Sequence, residues 1–286
     1  MCIRSTTLDR FQRDLEARGM RPNTIASYQH CVRRFLQQLG RAPSRARESD
    51  VRDYAVALRK GYSPRSVNVH LAALRSFYCE TLRRPEVFAR VRRMRVQSCP
   101  VTILSGSEVL RLIEAARSPK YLALIMLMYG SGLRVSEAVS LCVDDIDSNR
   151  MLVRVRQSKS KPRYVPMSQR LLDALREHWR RARPPGPELF PGSGTTGFLT
   201  RKAVARGLSK IQRAAGLSKH VTPHCLRHCY ATHLLDTGAD IRTVQVLLGH
   251  ASVRSTSHYT QLSRARLAAT PLPIDVLGTP SGEVLG

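Results

Sequence analysis

Apolar residues at helical spacing recur along this chain in short segments that glycine or proline closes. In one such segment Ile25, Val32 and Phe35 share a face, because residues three, four or seven apart lie on one side of an α-helix. Asn23 is expected to cap the start of this helix and Gly40 to end it, since Asn is a favoured N-cap and glycine readily adopts the left-handed backbone after a helix. The pattern predicts a mainly α-helical protein.

The first part of the chain reads as a helical domain of its own. Four amphipathic segments follow one another before Pro85, and the fourth opens with Ser63 and Pro64, an N-cap followed by proline at the first helical position. Residues 95–104 then show no helical period. We therefore expect a helical domain over residues 1–94 and an extended linker over 95–104.

The second part combines helices with one short β-hairpin. Residues 119–129 are almost wholly apolar and predict a central helix, and a new helix after Gly132 is expected to hold Arg134 in its first turn. Apolar and basic residues alternate over 151–157, and with the run 164–166 they predict a hairpin with a lysine-rich tip. Later helices are expected to bury Trp179 and Ile241. The fold class is therefore mainly α with a small β-hairpin or sheet.

Positive charge is in large excess. The 286 residues include 47 Lys and Arg against 21 Asp and Glu, a formal net charge of +26, and the sequence pI is about 11.0. The basic residues are spread over amphipathic segments and are not gathered in a tail. A folded surface that binds a polyanion, nucleic acid first of all, is the favoured interpretation.

Cysteine content and hydropathy bear on the compartment. The seven cysteines are an odd number at irregular spacing, which favours reduced thiols over a disulfide framework. No secretory signal opens the chain, and the longest apolar run, 121–129, is about half of what a membrane span requires. We expect a cytoplasmic, nucleoid-associated protein with no membrane partner.

The stretch from Thr222 to Tyr259 concentrates reactive side chains. His224 and Arg227 lie in one predicted helix, His250 follows the end of the next, and Tyr259 comes after that. A tyrosine hydroxyl needs nearby positive charge or a base to attack at neutral pH. One short helical region could bring these groups to a single phosphate.

Together with an upstream Gly-Leu-Arg-Val-Ser-Glu motif, this stretch resembles the tyrosine recombinase (phage integrase) family. The matching residues are Arg134 as the first arginine, His224 and Arg227 as the His-x-x-Arg box, His250 as the third basic position and Tyr259 as the nucleophile. The resemblance implies a two-domain architecture, with a helical core-binding domain at 1–94 and an α+β catalytic domain at 105–270. It also implies a site-specific recombinase or integrase that joins DNA to Tyr259 through a 3′-phosphotyrosyl link.

Each of these residues has a chemical task in that reaction. Guanidiniums of Arg134 and Arg227 would fork onto the non-bridging oxygens and stabilise the pentacovalent transition state. His224 is the better candidate for the base, and His250 is expected to hydrogen-bond the phosphate.

The leaving 5′-oxygen must receive a proton, which the family supplies from a lysine on the hairpin tip. Ser158-Lys159-Ser160 matches the family's Gly-Lys-Gly with serines in place of glycines, and Lys161 lies in the basic run that follows. Lys159 is the expected general acid, with Lys161 as the alternative.

The resemblance also implies partners. Double-stranded DNA is the substrate, a tetramer would hold two DNA sites, and the tail at 271–286 would reach between neighbouring subunits. Accessory DNA-bending proteins are a further possible partner. Bond energy stays in the covalent link, so neither a metal nor another cofactor is implied.

Other interpretations stay open from the residues alone. A catalytically silent DNA-binding protein would share the fold, and a type IB topoisomerase would share the chemistry. His224 and His228 stand four residues apart, as do Cys225 and Cys229, a spacing found in zinc sites. However, adjacent helical residues point about 100° apart, so the two pairs cannot easily share one ion.

Overall fold

The structure is a computed structural model that describes residues 2–97, 102–156, 162–192 and 197–249. The chain divides into two compact units, residues 1–99 and 100–286. Each has its own hydrophobic core.

The described part of the first unit is all helical, as the sequence predicts. Its α-helices are α1 (Cys2–Ala17), α2 (Pro22–Leu39), α3 (Glu48–Arg59) and α4 (Pro64–Arg75), with a π-helical turn at Ser76–Thr81 and 3-10 turns at Pro43–Arg45 and Pro85–Phe88. Aromatic rings fill the core, where Phe35 meets Tyr54 edge to face with ring centroids 5.1 Å apart. The buried Tyr54 hydroxyl hydrogen-bonds His70 Nδ1 at 2.9 Å, so the polar end of the ring is paired.

The start of α2 differs from the prediction. Pro22 takes the first helical position and Arg21 is the N-cap, so Asn23 lies inside the first turn and does not cap the helix. Proline suits this position because the N–H that it lacks would have no partner there. Gly40 ends α2 with a φ of 69°, as predicted, and Ser63 caps α4, as predicted.

The second unit surrounds one apolar helix. Its elements are α5 (Gly106–Glu114), α6 (Pro119–Gly130), α7 (Val135–Val139), a 3-10 turn at Val143–Asp145, β1 (Ile146–Asp147), β2 (Leu152–Val155), β3 (Arg163–Pro166), α8 (Gln169–Ala182), α9 (Arg201–Ala214), α10 (Pro223–Asp236) and α11 (Ile241–Leu248). Helix α6 is the predicted central helix: residues 123–130 are all buried, and it packs against α8 and α10.

The predicted hairpin is present as part of a three-stranded antiparallel sheet with the order β1-β2-β3. Strands β2 and β3 pair with Val153 opposite Val165. Strand β1, which the sequence did not predict, is two residues long, too short to show an alternating pattern. The mainly α fold with a small sheet is confirmed.

Two apolar side chains are exposed where burial was predicted. Trp179 on α8 is 47% exposed, because its neighbour His178 takes the buried position, donating from Nε2 to the Leu189 carbonyl at 2.9 Å and stacking on Phe190. Ile241 is 62% exposed, because it opens α11 directly after the cap.

No helix in the described part of the chain combines the length and the apolar character that a membrane crossing needs.

Candidate active site

Arg134 follows a glycine turn that connects α6 to α7. Gly132 has a φ of 62°, and a Cβ on it would lie 2.5 Å from Tyr230 Cδ1. Glycine is required on both counts, since other residues strain at positive φ and add a side chain. Arg134 is the N-cap of α7, one position before the first turn in which it was predicted. The turn packs directly on Tyr230 of α10 because residue 132 has no side chain.

Helix α10 carries two further predicted residues. Thr222 caps it by accepting a hydrogen bond from Cys225 N at 3.1 Å, and Pro223 takes the first helical position. His224 is exposed, whereas Arg227, one turn later, is only 3% exposed. His224 therefore lies at the surface of α10, and Arg227 lies beneath it in the interior.

A buried carboxylate, that of Glu137, joins three arginines. Its side chain is 1% exposed. Arg134 Nη1 donates to Oε1 at 2.8 Å, and Arg163 donates from Nη1 and Nη2 to Oε1 and Oε2 at 3.1 and 2.9 Å. Arg227 Nη1 lies 3.8 Å from Oε2. Because a buried carboxylate is costly without partners, Glu137 fixes the positions of the guanidiniums around it.

Arg227 is also held by backbone acceptors. Nη1 donates to the Gly132 carbonyl at 2.6 Å and Nη2 to the Leu248 carbonyl at 2.5 Å. Burial and the charge of Arg134 lower the pKa of Arg227 to about 10, while Glu137 acts in the opposite direction. The side chain therefore stays protonated at neutral pH.

Three successive carbonyls at the end of α11 each accept a hydrogen bond from one of the three arginines. Leu247 accepts from Arg163 Nε at 3.0 Å, Leu248 from Arg227 Nη2, and Gly249 from Arg134 Nη2 at 3.5 Å. The last carbonyls of a helix lack partners within it and carry partial negative charge. The arginines thus stabilise this helix end.

The cluster formed by Glu137, Arg134, Arg163 and Arg227 carries a net positive charge. Three guanidiniums surround one carboxylate, which leaves an excess of two positive charges. Guanidiniums held in a fixed plane suit the oxygens of a phosphate group.

His224 contacts a second histidine of α10. The Nε2 atoms of His224 and His228 are 2.8 Å apart, so one donates and the other accepts. Partial desolvation of the ring lowers the pKa of His224, and His228, Arg227 and Arg134 lower it further. A histidine that is neutral at neutral pH can accept a proton.

Comparison with known proteins places the chain in a family. The model of the phage integrase family matches residues 102–266, and that of the phage integrase N-terminal SAM-like domain matches residues 7–86. The chain belongs to the phage integrase family. The family predicted from the motifs is confirmed.

Curated relatives match over nearly the whole chain. A putative integrase/recombinase of Sinorhizobium fredii is 42% identical over 277 residues, covering 95% of this chain and 89% of the relative. The tyrosine recombinase XerA of Pyrococcus furiosus is 37% identical over 271 residues, covering 93% and 92%. The predicted function, that of a site-specific recombinase, is confirmed.

A solved structure agrees on the fold. The crystal structure of lambda integrase bound to DNA is similar with a TM-score of 0.70, covering 93% of this chain and 97% of that chain at 19% identity. The two-domain integrase architecture is confirmed.

Half of the predicted site lies within the described residues. Arg134, His224 and Arg227 come together, close enough for both arginines to lower the pKa of His224. Lys159, its alternative Lys161, His250 and Tyr259 lie outside the described residues, so their roles stay predictions.

The two cysteines of the zinc interpretation have hydrogen-bond partners within the protein. Cys225 Sγ donates to the Thr102 carbonyl at 3.1 Å, and Cys229 Sγ accepts from Leu104 N at 3.2 Å. Within residues 7–97, 102–156, 162–192 and 197–249, no three His, Cys, Asp or Glu side chains are grouped to hold a metal ion.

Glu137, Arg163 and His228 also contact the site. The sequence assigns no catalytic task to any of them, and His228 enters only as a candidate zinc ligand. Glu137 had a local signal, because an acidic residue three positions after a helix start often accepts from the cap backbone; here it accepts from Arg134 N at 2.9 Å. Arg163 is 26 residues from Glu137, and no local pattern links them.

Proposed function

We propose that this protein cleaves and rejoins double-stranded DNA at specific sites, with Tyr259 as the nucleophile. The tyrosine oxygen attacks the scissile phosphorus, the bond to the 5′-oxygen breaks, and a 3′-phosphotyrosyl link and a 5′-hydroxyl result. Attack by the 5′-hydroxyl of a partner strand then restores a phosphodiester and releases Tyr259. The observation that carries the proposal is the convergence of Arg134 and Arg227 on the buried Glu137.

The two arginines stabilise the transition state. The phosphate gains negative charge on its non-bridging oxygens as Tyr259 adds, so fixed guanidiniums bind the transition state more strongly than the ground state. Because Glu137 and the carbonyls of α11 already orient Arg134 and Arg227, little reorganisation is needed when DNA binds.

Protons move through side chains on either side of the phosphate. Neutral His224 accepts the proton of the Tyr259 hydroxyl, which its lowered pKa allows at neutral pH. Lys159, or alternatively Lys161, gives a proton to the leaving 5′-oxygen, and His250 hydrogen-bonds the phosphate. The link conserves bond energy, so the reaction needs no ATP, metal or other cofactor.

The chain is organised to deliver DNA to this site. Residues 1–94 form the core-binding domain, 95–104 the linker and 105–270 the catalytic domain. The tail at 271–286 contacts a neighbouring subunit in a tetramer that holds two DNA sites, with accessory DNA-bending proteins as further partners. The formal charge of +26 supports binding to the DNA of the nucleoid in the cytoplasm.

Strand exchange tests the proposal. DNA taken from either side of the gene, carrying inverted repeats, is incubated with the full-length protein in EDTA. We expect recombinant products from two sites. Relaxation of supercoiled DNA without any specific site would indicate a topoisomerase instead, and loss of activity in EDTA would indicate metal-dependent chemistry.

A further inference from the structure

Arg163 shares Glu137 with Arg134 and Arg227, but it lies on the β-sheet. It is the first residue of β3, paired opposite Val155 of β2, and its side chain is 10% exposed. Its two Nη atoms bind both oxygens of Glu137, and its Nε binds the Leu247 carbonyl. Each of its three guanidinium nitrogens therefore has a protein acceptor, as expected of a side chain that holds other groups in place.

Geometry places Arg163 between two parts of the site. Glu137 lies in α7, three residues after Arg134. Leu247 lies in the last turn of α11, and the carbonyl of the next residue, Leu248, accepts from Arg227. The planar guanidinium can bind a carboxylate with one edge and a carbonyl with its Nε–H, which a lysine ammonium cannot do in one plane. Arg163 thus joins the sheet, α7 and α11.

The same sheet contains a useful contrast. Arg154 on β2 donates from Nε to buried Asp145 at 3.0 Å, yet its side chain is 42% exposed. Its described hydrogen bonds go to Asp145 and to the Asp144 carbonyl, and not to Glu137 or α11. An ion pair between an arginine of this sheet and a buried carboxylate is therefore not enough to connect that arginine to the site. Contact with both Glu137 and α11 sets Arg163 apart.

We propose that Arg163 is a positioning residue for strand cleavage, which holds Glu137 and the end of α11 so that Arg134 and Arg227 meet one phosphate. This role rests on the proposed function. Arg163 binds both oxygens of Glu137, so the carboxylate stays where it orients Arg134 and Arg227 towards the phosphate. Arg163 also holds the Leu247 carbonyl at the end of α11. The guanidiniums of Arg134 and Arg227, which bind the next two carbonyls, therefore keep their positions relative to each other.

The test compares cleavage of two DNA substrates by the full-length protein. One is a nicked substrate of the site that the wild type cleaves; the other carries a methylphosphonate in place of the scissile phosphate, which removes one anionic oxygen. Rates of covalent adduct formation are measured for the wild type, Arg163→Met and Arg163→Lys. Arg154→Met is the matched control, because it removes an arginine of the same sheet from a different buried carboxylate, that of Asp145.

On the phosphodiester we expect Arg163→Met to slow adduct formation about 100-fold, the scale of an ångström misplacement of catalytic groups. On the methylphosphonate the same substitution should slow it less than about tenfold, because one of the two oxygens that the arginines must meet is gone. Arg154→Met should stay within about threefold of the wild type on both substrates. A purely structural role would slow cleavage of both substrates by the same factor.

If Arg163→Met does not fold, Arg163→Lys provides the test, because lysine keeps the positive charge but lacks the planar guanidinium. It should slow cleavage of the phosphodiester more than that of the methylphosphonate. Equal slowing of the two substrates, or a rate near that of the wild type for a folded Arg163 variant, overturns the role of Arg163 and leaves the proposed function intact. Absence of any adduct from the wild type overturns both.

Discussion

Gly132 connects the fold to the site at the scale of one residue. Its φ of 62° and the 2.5 Å that would separate a Cβ from Tyr230 Cδ1 leave room for glycine alone. Its carbonyl binds Arg227, so a shift of this turn would move a guanidinium of the cluster.

We expect Gly132→Ala to lower the free energy of unfolding by about 2–4 kcal/mol, since positive φ and overpacking both oppose the methyl group. Gly216→Ala is the matched control: its φ is 63° and nothing lies within 4 Å of a Cβ there, so it should cost only about 1–2 kcal/mol. Denaturant unfolding measures both. Equal losses would show that the contact with Tyr230 is relieved without cost.

His228 acts on the protonation of His224. Partial desolvation, followed by His228, Arg227 and Arg134, lowers the pKa of His224. Removing His228 should therefore raise the pKa of His224 towards its ordinary value of about 6.5. The base is active when neutral, so the loss of activity on acidification should begin at a higher pH.

His228→Phe should accordingly move the acidic limb of the pH–rate profile for adduct formation upwards. The exposed His220 provides the control variant His220→Phe, which should leave the limb in place. An unchanged limb in His228→Phe would contradict His224 as the group that titrates.

Helix α10 is the element that brings His224 and Arg227 to the cluster, and its start depends on Thr222. Thr222→Ala should lower the free energy of unfolding by about 1 kcal/mol, because the Cys225 amide loses its acceptor. Thr200→Ala, which removes the equivalent cap from α9, should cost a similar amount. Only Thr222→Ala should also slow adduct formation, which a cleavage assay at matched folded fraction measures. Equal rates of adduct formation for the two variants would show that the Thr222 cap does not help to position His224 and Arg227.

Local signals made most elements predictable. Caps such as Thr222 and Ser63, and the apolar run of α6, act within a few residues, so the sequence shows them directly. Trp179 was misplaced because helical spacing defines a face only to within about 100° per residue, and packing gave the buried place to His178.

The site was predictable only in part. The motifs identify Arg134, His224 and Arg227, and the structure brings them together. The pairing of Glu137 with Arg163 depends on how β3 packs against α7, a tertiary contact that residue spacing does not encode.

At the scale of the whole molecule, the charge of +26 should dominate DNA affinity. Each neutralised phosphate releases counterions, so the logarithm of the binding constant falls linearly with that of the salt concentration. With several phosphate contacts we expect affinity to fall by about 10³ to 10⁵ between roughly 50 and 200 mM salt. Titrations over that range measure the slope, and a salt-independent affinity would contradict a charged DNA interface.

The most direct measurement identifies the atom to which DNA becomes attached. The full-length protein is trapped on a nicked substrate, digested and examined by mass spectrometry. We expect the nucleotide to be joined through its 3′-phosphate to Tyr259, and Tyr259→Phe to bind the DNA without forming an adduct. A link to any other residue, a 5′-phosphate link, or an adduct from Tyr259→Phe would contradict the account.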